Sequence, residues 1–124
     1  MSDNVRLPSL STFPRLLMHH AQVRPNHPAT REKDMGIWQT WTWSQVAEEV
    51  RAMACGLAEL GFKRGDNLAI IGDNRPRLYW AMCAAQCLGG VPIHFYFRER
   101  ICFPKFLDGI TNFLSRNIYN FTFA

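Results

Sequence analysis

Apolar positions change period five times between Thr12 and Tyr96, and each change marks an element. Phe13, Leu16, Leu17, His20 and Ala21 recur at helical spacing. Pro14 suits the first turn of that helix and Pro25 stops it. Ala29–Lys33 and Ile37–Thr42 then read as two strands, with Lys33-Asp34-Met35-Gly36 as the turn and Gly36 free to take a positive φ. Next, Val46, Val50, Met53, Leu57 and Leu60 form a helical stripe, while Glu48, Glu49 and Arg51 fall on the water side. Thr42 and Gln45 spell a capping box, Trp41 and Val46 a hydrophobic staple, and Gly61 a helix stop.

Beyond a surface turn at Lys63-Arg64-Gly65-Asp66, the run Leu68–Ile71 is continuously apolar, as in a strand covered on both faces. Arg75-Pro76 opens a helix that is apolar almost all round from Leu78 to Leu88, and Gly89-Gly90 ends it. Val91–Tyr96 reads as the following strand. Strand, helix and strand at this spacing predict a βαβ unit with parallel strands. The fold class is therefore α/β, a β-hairpin and one βαβ unit. It divides into a polar, mobile leader at 1–11, an ordered part at 12–96 and a tail of uncertain structure at 97–124.

Composition narrows the picture. The hydrophobic content of 48% and charged content of 19% are those of a globular chain. The net charge of +4 is shared equally by the ordered part and the tail, and the longest basic run before the tail is Lys63-Arg64, so no nucleic-acid patch is expected. MSDNVRLPSLS has no apolar segment of a signal peptide, and the richest stretch, Leu78 to Val91, is too short to span a membrane. A cytoplasmic location is expected, with Cys55, Cys83, Cys87 and Cys102 as free thiols.

Candidate chemistry is sparse. The turn Gly72-Asp73-Asn74-Arg75-Pro76 stands where a phosphate loop would, but it has a single glycine, an acid and a proline without an amide donor. Cys83 and Cys87 lie one helical turn apart, and small buried thiols are the expectation rather than metal ligands. His19, His20, His27 and His94 have no metal-binding context, and neither GxSxG nor HExxH occurs. Trp38, Trp41 and Trp43 are expected to pack the hairpin against helices, the alternative being ligand stacking on an exposed ring. No catalytic, cofactor-binding or metal residue is assigned.

Four stretches, in order, carry a resemblance: Arg31 through Trp43 (REKDMGIWQTWTW), Gly61-Phe62-Lys63-Arg64-Gly65-Asp66, Ala69 through Pro76 (AIIGDNRP), and Ala84 through Ile93 (AAQCLGGVPI). Together they resemble the N-terminal subdomain of AMP-forming acyl-CoA synthetases, in particular bacterial long-chain fatty-acid–CoA ligases, over Thr12 to Ile93. The resemblance implies a two-step reaction, in which a fatty carboxylate attacks the α-phosphate of ATP and the coenzyme A thiol then displaces AMP. It also implies ATP, magnesium and coenzyme A as cofactors of the parent enzyme. The family's Ser/Thr/Gly-rich loop ending in Pro-Lys-Gly, its acidic magnesium ligand, its ribose-binding aspartate and its late lysine have no counterpart in these 124 residues.

The likeness fades near His94. Seven of the last 28 residues are Phe or Tyr, and a broken reading frame is expected to account for that tail. A helix near Lys105–Asn117 covering the open edge is the alternative. With sheet neighbours missing, the expectation is an inactive fragment that self-associates or pairs with a larger ligase chain. A small non-enzymatic interaction module working through its open edge is the competing reading.

Overall fold

The structure, a computed structural model, describes residues 11–95 and the backbone of residues 118–122. The leader at 1–10, Tyr96, Cys102 and the helix expected near Lys105–Asn117 lie outside the described residues. The chain divides into two compact units, Met1–Glu49 and Val50–Ala124.

The first unit opens with α1 (Phe13–Val23), with a proline in its first turn and its last turn closed by the Arg24 amide bonding to the His20 carbonyl at 2.9 Å. Of its apolar stripe, Leu17 is buried, whereas Phe13 is 72% exposed. A hairpin follows, β1 (Pro28–Asp34) antiparallel to β2 (Ile37–Thr42). Its strands run further than sequence predicts, so the turn shrinks from four residues to Met35-Gly36. Both central residues take positive φ, 46° and 81°, the signature of a type I′ turn, whose twist matches that of the strands. The expectation that all three tryptophans pack is corrected here. Trp38 is 65% exposed, because β2 is uncovered from Ile37 to Thr40. Trp43 belongs not to the hairpin but to the first position of α2 (Trp43–Glu59).

The predicted capping box is present in both directions. The Thr42 amide donates to Gln45 Oε1 at 2.9 Å, and the Gln45 amide donates to Thr42 Oγ1 at 3.4 Å. These bonds satisfy two groups that a helix start otherwise leaves unpaired. Within the first unit, Val46 and Ala47 of α2 are buried while Glu48 and Glu49 are exposed.

In the second unit α2 continues through buried Val50, Ala54 and Leu57. Leu60, expected in the stripe, is 68% exposed, because the helix has ended at Glu59. Gly61 (φ 92°) reverses the chain. Its amide bonds to the Ala58 carbonyl and the Phe62 amide to the Leu57 carbonyl, both at 3.0 Å, the paired closure of a Schellman motif. The burial the stripe promised at Leu60 is taken up by Phe62, 4% exposed.

The Lys63–Asp66 turn is pinned by the Asp66 carboxylate, which accepts the Lys63 amide at 2.8 Å. Strand β3 (Asn67–Ile71) follows, with Leu68 to Ile71 all buried. Then come α3 (Pro76–Cys87) and β4 (Val91–Phe95), which pairs parallel with β3 from Asn67↔Val91 to Ile71↔Phe95. The βαβ unit is thus as predicted. Gly89 and Gly90 close α3 by the same Schellman pattern, bonding to the Gln86 and Ala85 carbonyls. One element was not foreseen. β5 (Ile118–Thr122) pairs parallel with β3 on its other side, giving the order β4-β3-β5. The segment that periodicity left without an element therefore supplies a strand, and β3 is central rather than an edge.

Candidate functional site

Parallel sheets place ligands beyond the carboxyl ends of their strands, where successive connections diverge to either side. Here the chain leaves β3, returns in β4 on one side and later supplies β5 on the other, so that point lies beyond Ile71. The loop there is Gly72-Asp73-Asn74, followed by α3. Its parts are fixed by local bonds. Tyr79, on the exposed side of α3, donates its hydroxyl to Asn74 Oδ1 at 2.7 Å. His94, opposite Ile70 in the sheet register, donates from Nε2 to the Gly72 carbonyl at 3.1 Å. The Arg75 amide bonds to the Asp73 carbonyl at 2.8 Å and the Leu78 amide to the Arg75 carbonyl at 3.0 Å.

Of the loop's own amides, that of Arg75 is therefore committed to the Asp73 carbonyl. Pro76 supplies none, and Asp73 is exposed beside them with its negative charge. The loop is polar and tied to α3 and β4 by these bonds. Among the described residues no group of three or more His, Cys, Asp or Glu side chains is placed to hold a metal ion. The donor sets for ATP and magnesium that the family resemblance implies do not fit the residues described.

Two side-chain groupings lie away from this loop, and of them only the first escaped the reading of spacing. The first joins α1 to the start of α2. Arg24 donates from Nε to His20 Nδ1 at 3.2 Å and lies 5.9 Å from the centre of the Trp43 ring. The His20 ring packs on the same indole at 4.6 Å between centroids. Loss of solvent around the imidazole, then the nearby Arg24 and His19, hold the His20 pKa below its ordinary value, and the bond from Arg24 Nε makes Nδ1 the accepting nitrogen. The His20–Arg24 spacing of four was the available signal. Trp43 carried none, since nothing local ties it to α1.

The second is the thiol pair of α3. Cys83 is half-buried and Cys87 exposed, which corrects the expectation that both are buried. The Cys83 thiol donates to the Cys87 sulfur. That bond, followed by burial and the Cys87 charge, pushes Cys83 far up; the same bond, against opposing desolvation, brings Cys87 down to about 7. Cys55 is exposed and free as well.

Comparison with known proteins turns the fold into a family. Residues 17–98 match the model of the AMP-binding enzyme family. The chain belongs to that family, and its α/β architecture is that of the N-terminal subdomain of adenylate-forming ligases. It superposes on a fatty acid AMP ligase from Legionella pneumophila with a TM-score of 0.80 and 17% identity, covering 97% of this chain and 21% of that one. The O-succinylbenzoate coenzyme A synthetase of Bacillus subtilis, solved with AMP, matches with a TM-score of 0.64 and 25% identity, over 84% of this chain and 26% of that one. In sequence, an uncharacterised protein of Mycobacterium tuberculosis is 40% identical over 58 residues, 47% of this chain and 33% of that protein. A 2-succinylbenzoate–CoA ligase of Bacillus pumilus is 29% identical over 76 residues, 61% of this chain and 15% of that protein. The chain thus spans a third or less of the curated relatives it matches. No helix among the described residues is long and apolar enough to cross a membrane.

Proposed function

We propose that these residues are the opening part of a cytoplasmic fatty-acid–CoA ligase, whose whole reaction converts ATP, a fatty acid and coenzyme A to acyl-CoA, AMP and pyrophosphate, and that on their own they do not carry it out. The observation behind the reading is the family match over residues 17–98 joined to a sequence that holds none of the family's phosphate-binding motifs. Acid activation requires neutralisation of a triphosphate by metal and by backbone or lysine donors. The loop at 72–76 has one glycine, an acid and a proline, and its Arg75 amide is bonded to the Asp73 carbonyl. The role left to this part is scaffolding: a buried central strand and two glycine-closed helices on which later elements build.

The test is pyrophosphate release. The 124-residue chain, given ATP, magnesium and a fatty acid, is expected to release pyrophosphate no faster than a protein-free blank. Fatty-acid-dependent release above that blank overturns the reading. A second reading, a non-enzymatic module pairing with itself or with a larger ligase chain, is favoured by one observation: β4 and β5 each have one side without a strand partner among the described residues.

A further inference from the structure

The distal hairpin has no role in the reading above, and its composition is unusual for a solvent-exposed ribbon. Met35, Ile37 and Trp38 at its tip are 95%, 65% and 65% exposed. Met35 also holds a positive φ of 46°, a conformation uncommon outside glycine, asparagine and aspartate. Type I′ turns favour Asn, Asp or Gly at this position. A large apolar side chain therefore occupies the outermost point of the ribbon, where both local geometry and solvent disfavour it.

The strand register sorts the charges. Residues directly opposite one another share a face, and alternate residues along a strand do too. Lys33 pairs with Trp38 and Arg31 with Thr40, so one face carries two cations around an exposed indole. Asp34 pairs with Ile37 and Glu32 with Gln39, which puts both carboxylates on the other face. The ribbon is cationic and aromatic on one side, acidic on the other and apolar at its end.

We propose that this hairpin is a docking surface for an anionic lipid bilayer. Met35 and Trp38 enter the interface between headgroups and acyl chains, where tryptophan and unbranched apolar side chains are at home. Arg31 and Lys33 meet the lipid phosphates, and the acidic face turns to water. Charge complementarity selects the bilayer's composition: the attraction is to anionic headgroups and weakens with salt. The inference does not depend on acyl activation, and its readout is separate from pyrophosphate release.

Co-sedimentation of the 124-residue chain with vesicles tests it. Binding is expected to phosphatidylcholine vesicles containing phosphatidylglycerol, and to be on the order of tenfold weaker to phosphatidylcholine alone. Met35→Asn places a preferred residue in the turn, so it leaves the far-ultraviolet circular dichroism unchanged while weakening vesicle binding severalfold. Arg31→Glu with Lys33→Glu removes the preference for anionic vesicles. A blue shift of tryptophan emission on binding is lost in Trp38→Phe. Equal binding to both vesicle types, or unchanged binding by the Met35 and charge variants, overturns the proposal. So does a Met35→Asn effect confined to association of the chain with itself or another protein, which would make the ribbon a protein interface.

Discussion

Gly90 shows how one residue sets the exit from α3 into β4. A Cβ placed on it would overlap the Phe62 ring edge and lie 3.0 Å from the Asp66 carbonyl oxygen. That carbonyl is already engaged, since it accepts the Val91 amide at 2.8 Å, the bond that launches β4 beside β3. A methyl at position 90 therefore presses on a buried aromatic ring and on the backbone that starts the strand. Gly90→Ala is expected to destabilise the chain by about 1–3 kcal/mol, the usual cost of overpacking. Urea unfolding at fixed protein concentration measures it. Phe62→Leu introduced together with Gly90→Ala should recover part of the loss, a coupling that a double-mutant cycle isolates. Additive losses would show that the ring is not what the glycine accommodates. The sequence pair Gly89-Gly90 announces a helix stop, but the need for a bare Cα at the second position comes from Phe62, 28 residues earlier, and no local pattern encodes that.

Most elements whose signals are local were legible, the hairpin turn excepted, where two residues stand in place of the four read. The Thr42–Gln45 box, the Gly61 stop and the proline starts of α1 and α3 each depend on residues within five positions, and each stands in the structure as read. Elements whose signals are distant were not. Leu60 fits the stripe of α2 in sequence, yet it follows the end of the helix. Trp38 reads as core, yet it is exposed, as are its strand neighbours from Ile37 to Thr40. β5 reads as nothing, because its partner lies some 50 residues away. Of the candidate site, the loop's position between β3 and α3 was legible from the sequence. The bonds of His94 and Tyr79 that tie it in place were not, since they join an element end to another strand and to the next helical turn. The capping box gives the test at this scale. Thr42→Ala removes the acceptor for the Gln45 amide and is expected to cost about 1 kcal/mol. Thr42→Ser should retain most of that, because its hydroxyl can accept the same bond. If alanine and serine unfold at the same urea concentration, the side-chain bond contributes nothing.

For the whole molecule, the question is where apolar surface meets water. The missing sheet neighbours predict apolar exposure around the βαβ unit, but among the described residues much of it lies elsewhere. β3 is flanked by strands on both sides and buried from Leu68 to Ile71. Among the described residues, the exposed large apolar ones are Phe13, Val23, Met35, Ile37 and Trp38 in the first unit and Leu60, Tyr79 and Val91 in the second. Val91, half exposed, sits at the start of β4, whose outer side has no strand partner among the described residues. Uncovering a large apolar side chain forfeits roughly 1.5–3 kcal/mol, against a total stability of about 5–15 kcal/mol for a domain. Backbone groups along a free strand edge also offer hydrogen bonds to a second copy. Self-association driven by these surfaces has a definite form: it grows with concentration and is weakened by a charge on the edge. Sedimentation velocity from low to high micromolar concentration should show a rising mean mass, and Val91→Lys should lower it at every concentration. A single monomeric boundary throughout would mean that the edge is already satisfied by the chain itself, and the reading as a pairing module would fall with it.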